Sequence, residues 1–146
     1  PELHLEALAA NKGMLDSVKA AIEAETPIWA ECGGMMVLFD EIQTVDGNSH
    51  TVWGVIKGKI RMQKKLGGLG PQFMETSVGP LRGHTFHYSV CDAEIPAIRT
   101  TIKHSQLSGL SAGEAIFEVG SVQASYFHAW FASNLRASAA LFLKSE

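Results

Sequence analysis

The sequence predicts an α/β domain with a mixed sheet and flanking helices, and three observations carry that expectation. Apolar residues near the start recur at helical spacing. A short apolar run at 27–31 then leads into a cysteine, two glycines and a further run with helical spacing, which is the order strand, tight turn, helix. In the second half the pattern is mostly alternation, so strands are expected to outnumber helices there and the sheet to mix parallel with antiparallel pairs.

Taken in order, Leu5, Leu8, Met14, Leu15, Val18 and Ile22 recur at spacings of three, four and seven, the pattern of a helix with one buried face. Asn11 is suited to cap a second helical segment and Gly13 weakens it, which predicts two short helices or one interrupted one over 5–25. Thr26 and Pro27 end the pattern because proline cannot continue a helix, and "PIWAE" reads as a short buried strand. After Cys32 and the paired glycines, "MMVLFDEI" resumes helical spacing through Met35, Leu38, Phe39 and Ile42. "TVDGNSH" is turn-rich, "TVWGVIKGKIRMQKK" alternates as a half-buried strand does, and "LGGLGP" reads as a flexible, glycine-rich stretch. Further strands are expected over 73–78, 85–91, 98–103, 115–119 and 122–126. A last helix is expected over about 133–144, with Leu135, Ala139, Leu141 and Phe142 toward the sheet.

A chain of 146 residues suits one compact domain, 1–146, with a core that needs no staples. With 46% hydrophobic and 18% charged residues and a formal charge of −3, there is no basic field to attract phosphates, so nucleic acid is not an expected partner. The longest apolar stretches, such as "VQASYFHAWFA", are interrupted well short of the roughly 20 residues that a membrane span needs, and no signal-peptide pattern is seen. Two cysteines make no disulfide framework, so both thiols are expected free, in a reducing compartment with the cytoplasm as the default. The start at Pro1 fits either a processed terminus or a piece of a longer protein.

"AECGG", residues 30–34, is the stretch with chemical content. A lone cysteine in an apolar segment is usually a packing residue. Here a strand feeds Cys32, Gly33 and Gly34 follow, and a helix comes next, the layout of a nucleophile elbow in which a strained turn lifts the side chain above the sheet. The helix N-terminus behind Cys32 is expected to lower the thiol's pKa, and the Gly33 N–H could stabilise a developing oxyanion. A thiolate also needs a base. Of six histidines, His128 follows the strand-like "VQASY" and precedes a helix, a strand-end position in an α/β domain. Glu31 adjoins the nucleophile, but neighbouring residues in a strand point apart, so structure or substrate binding is expected of it rather than the orienting of a base. His84 and His87, in "HTFH", would point to opposite faces of a strand and so serve one metal poorly; no metal site is expected. Cys91, without an elbow, reads as a packing or surface thiol.

Taken together, "PELHLEALAAN", "PIWAECGGMMVL", "RGHTFHYS" at 82–89 and "ASYFHAWF" at 124–131 resemble, in order, the C-terminal glutaminase domain of the cobyrinic acid a,c-diamide synthase family. The resemblance runs from Pro1 to about Phe142. It implies a class I glutamine amidotransferase of the cobyric acid synthase type with a flavodoxin-like fold, truncated here at its N-terminus. Cys32 then matches the nucleophile and His128 its activating histidine, with Gly33 and Gly34 at the oxyanion and substrate, and with His84 and His87 near substrate or an interface. The implied partners are glutamine, a synthetase domain or chain, and, through it, a corrinoid whose a and c carboxylates receive the ammonia.

No G-x-x-x-x-G-K-[ST] phosphate loop occurs in the 146 residues, so no cofactor is expected in this chain, and ATP and magnesium would belong to the synthetase. Two departures from the wider class matter. Ordinary class I glutaminases carry a glutamate two residues after the histidine, where this chain has Trp130, although the cobyric acid synthase branch also tends to lack it. The family's glycine-rich turn before "PEL", which donates an oxyanion-hole N–H, precedes the start of this chain; its loss would cost about 3 kcal/mol, or roughly a hundredfold in rate. Strands missing beside the nucleophile strand would leave backbone edges uncovered, so a homodimer is expected. A non-catalytic binding or assembly module, and a cysteine hydrolase acting on another amide or ester, are the competing readings.

Overall fold

The computed structural model describes residues 1–105 and 109–143. Helices α1 (Leu5–Ala10) and α2 (Lys12–Glu23) precede β1 (Ile28–Glu31), and a single helical turn, α3 (Gly33–Met36), separates β1 from β2 (Phe39–Gln43). Then come β3 (Ser49–Thr51), β4 (Ile56–Met62), β5 (Gly68–Met74), β6 (Leu81–His87), β7 (Ser89–Ala93), β8 (Arg99–Ser105), β9 (Gly109–Val119), β10 (Val122–Ser125), β11 (His128–Ala129) and α4 (Leu135–Ala140).

The strands form two mixed sheets. Seven lie in the order β1-β10-β9-β8-β5-β6-β11, in which β1 runs parallel to β10 and the other pairs are antiparallel. Four lie in the order β3-β2-β4-β7, with β2 parallel to β4. One face of the larger sheet, through Ala30, Val122, Ala124 and Tyr126, shares a core with Leu5 of α1, Val18 and Ile22 of α2, and the smaller sheet through Phe39, Ile42, Ile56 and Ile60. The other face, through Trp29, Ile116 and Phe127, is covered by Ala137 and Leu141 at α4. This is the α/β class with mixed sheets and flanking helices that the sequence predicts, consistent with a flavodoxin-like glutaminase domain.

The early elements follow local rules. Asn11 separates the two helices, and its side chain accepts the Met14 N–H at 3.1 Å, as an N-cap does. Four expectations are corrected. The helical spacing of "MMVLFDEI" ends after one turn, because the carbonyls of Val37, Leu38 and Phe39 accept N–H groups from Trp53, Val55, Ile56 and Gly54 instead of continuing a helix, and residues 39–43 pair as β2. An apolar run of that length fits a buried strand as well as a helix, and long-range pairing decided the case.

The "LGGLGP" stretch is not a flexible link; it begins β5 and pairs with β6. A Cβ on Gly68 would lie 2.4 Å from Nε2 of His87 and 2.6 Å from Oε1 of Glu114, so glycine there leaves room for that buried pair. The expected strand over 85–91 is split at Tyr88 between β6 and β7, which belong to different sheets. Finally, α4 turns Ala137 and Ser138 inward and leaves Leu135 at 75% exposure, with Ala139 and Phe142 also outward and Leu141 buried as expected. Asn134 caps the Ala137 N–H and Ser138 Oγ donates to the Phe131 carbonyl, which sets the phase of the helix. Lys144, the last position of that expected helix, lies outside the described residues.

Candidate active site

Cys32 directly follows β1 and adopts φ +46°, ψ −108°, a conformation that costs a residue with a Cβ of order 1–3 kcal/mol and that persists only where the surroundings impose it. They impose it here from both sides. The Cys32 N–H is tied to the Ser125 carbonyl at 2.8 Å, continuing the parallel pairing of β1 with β10, and the Cys32 carbonyl accepts the Met36 N–H to start α3. Gly33 and Gly34 form the first turn. The Pro1 ring packs over Gly33, where a Cβ would come within 2.8 Å of Pro1 Cδ, while the space beside Gly34 is open. This is the strand, strained turn and helix that a nucleophile elbow requires of its backbone.

The thiol is half-buried, and burial pushes its pKa up from the ordinary value; Glu2 and Glu31 add to that, while the Gly33 N–H and the terminal ammonium of Pro1 pull the other way. The expectation that the helix behind it would lower the value is therefore corrected. A helix of one turn carries little dipole, and desolvation of the charged form outweighs it. Cys91, on β7, is pushed up to about 12 chiefly by burial, and it packs against the main core as a structural thiol.

His128 opens β11, three residues beyond the end of β10, in register with His84 of β6. The two imidazoles stack at 4.9 Å with 10° between planes. Their strands lie close because position 83 is glycine: a Cβ there would meet the His128 carbonyl at 2.1 Å. His128 is held below the ordinary histidine value, first by burial and then by His84 and His87, while Glu31 pulls it upward. Glu31 has a structural role, as expected, and it also stands near His128. Its Oε1 accepts the Ala129 N–H at 2.9 Å and the Trp29 indole N–H at 2.7 Å, and Oε2 lies 3.8 Å from Nδ1 of His128. Adjacent strand residues do point apart, but the elbow ends the alternation after Glu31, and the carboxylate reaches across to the segment that carries His128.

"HTFH" divides as strand alternation requires. His84 lies on the exposed side with His128, beside a groove of about 580 Å³ whose walls include Pro71, Pro80, Arg82 and Trp130. His87 is buried on the opposite side. Its Nδ1 faces the Ser89 carbonyl at 3.0 Å and its Nε2 faces Glu114 Oε1 at 3.2 Å, so both ring nitrogens meet an oxygen. Its ring stacks on Tyr126 at 3.7 Å. Glu31, His84 and His128 thus gather in one place, directly after which the chain reaches Cys32, whereas His87 belongs to a separate buried network. The pairing of His87 with Glu114 carries no sequence signal, because the two stand 27 residues apart on strands that are not neighbours. Among the described residues no group of three or more His, Cys, Asp or Glu side chains is placed to hold a metal ion.

The chain matches the CobB/CobQ-like glutamine amidotransferase domain family over residues 1–135. It is 42% identical over 142 residues to a cobyrinate a,c-diamide synthase of Herminiimonas arsenicoxydans, covering 97% of this chain and 32% of that protein. It is 39% identical over 141 residues to a hydrogenobyrinate a,c-diamide synthase of Pseudomonas aeruginosa, with 97% and 32% covered. To a cobyrinate a,c-diamide synthase of Salmonella typhimurium it is 34% identical over 140 residues, with 90% and 30% covered. The chain therefore spans about a third of the length of these curated relatives. With the elbow at Cys32, the α/β framework and a match over nearly the whole sequence, the chain belongs to the CobB/CobQ-like glutamine amidotransferase domain family.

Proposed function

We propose that this chain is the glutamine-hydrolysing part of an ATP-dependent amidotransferase of cobalamin biosynthesis, with Cys32 as nucleophile and His128 as base. The observation that carries the reading is the strained elbow at Cys32, since a packing cysteine gains nothing from φ +46°. The raised thiol pKa makes a base necessary: the thiol proton passes to Nε2 of His128 as sulfur bonds to the amide carbon of glutamine. The C–N bond then breaks and ammonia leaves with that proton. Water attacks the thioester, giving its proton to His128, and the C–S bond breaks to release glutamate; the thiol regains the proton. The Gly33 N–H, beside the sulfur, is suited to the developing oxyanion, and the open space at Gly34 to the substrate.

The ammonia would be used by a synthetase domain or chain that amidates the a and c carboxylates of a corrinoid; relatives of this chain are named for cobyrinate and for hydrogenobyrinate. ATP and magnesium are assigned to that partner. No phosphate loop occurs in this sequence and no acidic or histidine cluster among the described residues is arranged for a metal, so no step is routed through them here. The cytoplasm remains the proposed compartment; no helix among the described residues is long and apolar enough to cross a membrane.

Ammonia release from glutamine, measured for the chain alone and with the synthetase portion, is expected to disappear in Cys32→Ala and His128→Ala. Equal rates in wild type and Cys32→Ala under both conditions would overturn the reading. They would favour a second one, a catalytically inactive or free-standing amidotransferase-like assembly module, for which the upward push on the Cys32 thiol speaks.

A further inference from the structure

We propose that Glu31, the residue directly before the nucleophile, is the positioning residue that orients His128 by receiving its Nδ1–H. The inference rests on the reading of His128 as the base and adds the group that holds it. Two features of the carboxylate carry it. First, Oε1 is clamped by two donors on different elements, the Trp29 indole at 2.7 Å within β1 and the Ala129 N–H at 2.9 Å on β11, so the carboxyl plane cannot rotate freely. Second, Oε2 has neither of these donors and stands 3.8 Å from Nδ1, the nearer edge of the ring. An ionised carboxylate only accepts, so a ring that closes onto it must place its proton on Nδ1 and leave Nε2 bare to take a proton. That division of labour is the one a base in a nucleophile–base–carboxylate relay requires.

The clamp also explains why the carboxylate stands next to the nucleophile in sequence. Ala129 adjoins His128, so the bond that fixes the carboxylate fixes the histidine's own backbone. One side chain thus links the nucleophile strand to the base strand. The other charged or titratable neighbours do not compete for this role. His84, stacked on the outer face of the ring, and His87, farther off in its buried network, each disfavour a proton on His128, and Glu31 alone among the named neighbours favours one.

The test uses the full chain labelled with ¹⁵N-histidine, with the ring nitrogens of His128 followed by NMR across pH. In wild type the neutral ring is expected to carry its proton on Nδ1. In Glu31→Gln, with Oε1 still held by Trp29 and Ala129, the amide NH2 faces Nδ1; the neutral ring should shift its proton to Nε2, and the ring should titrate at lower pH because the favourable charge is gone. Glu31→Asp should restore the wild-type proton position in part. Trp29→Phe, which keeps a ring in the core but removes the N–H, covers the case of a Gln variant that does not fold and should shift the same signals in the same direction by less. With the synthetase portion present, kcat for glutamine is expected to fall on the order of 10²-fold in Glu31→Gln with KM little changed.

An unchanged proton position and titration of His128 in folded Glu31→Gln, or in Trp29→Phe should the Gln variant fail to fold, would overturn the inference even if activity fell. Because the ring signals do not depend on Cys32 or on turnover, a failure of the glutaminase reading shows in Cys32→Ala and a failure of this inference shows in the spectrum.

Discussion

Cys32 holds the one backbone conformation near the site that its side chain opposes, and that opposition is measurable. With φ +46° and ψ −108° the residue occupies a region that suits glycine, and among the described residues Glu25, at φ +53°, is the other non-glycine residue at positive φ. Cys32→Gly should therefore raise the stability of the chain by about 1 kcal/mol while removing the proposed nucleophile, whereas Cys32→Ala keeps the strain. Urea unfolding of the two variants checks this, and a lower midpoint for Cys32→Gly than for Cys32→Ala would show the elbow to be unstrained. At this scale the sequence was informative in part: the glycines after Cys32 announced the turn, but His128, expected at the end of the strand before it, opens a short strand of its own beside β6. The state of the thiol was not legible, because the burial that pushes it up comes from segments remote in sequence, Tyr126 and the α1 region among the core that it joins.

Strands β6 and β9 are separated in the sheet by β5 and β8, yet His87 and Glu114 join them, and Gly67 and Gly68, where β5 begins, supply the room. Burial pushes the Glu114 carboxyl up, but the hydrogen bond and charge of His87 prevail and hold it below the ordinary value of 4.5. A carboxyl whose folded pKa is depressed adds stability that is present above its unfolded value and is lost as pH falls through the folded one. Wild-type stability should accordingly decline below about pH 4.5. Glu114→Gln should cost about 2 kcal/mol at pH 7, since a carboxylate that accepts buried hydrogen bonds is replaced by a neutral amide, and the gap between variant and wild type should narrow on acidification. Urea titrations from pH 7 to pH 3 read this directly, and a gap constant with pH would dismiss the pair as a source of stability. Element by element, β8, β9 and β10 were visible as alternation, whereas the start of β5, the break between β6 and β7 and the two-residue β11 were not. That α3 stops after one turn and gives way to β2 was not visible either, because Met35, Leu38, Phe39 and Ile42 satisfy a helical period and a buried strand alike; the N–H groups of 53–56 settled it.

For the molecule as a whole, β1 lies at one edge of the seven-stranded sheet. Ile28 and Cys32 direct their N–H groups to β10, so the backbone groups of Trp29 and Glu31 face the open side. We propose that a second copy covers this edge, as edge strands seldom stay bare. Light scattering during size-exclusion chromatography should then give twice the chain mass of 15.8 kDa, and a clean monomer would refute the dimer. By itself the sequence determined the α/β class, the elbow at Cys32, the candidacy of His128 and the opposite facing of His84 and His87, because each depends on residues within a few positions of one another. Only the tertiary structure decided that Glu31 reaches His128, that His87 is tied to Glu114, that β2 is a strand, and that the thiol is pushed up rather than down. Each of these depends on groups from distant segments brought within a few ångströms, where hydrogen bonding and desolvation, rather than local propensity, set the outcome.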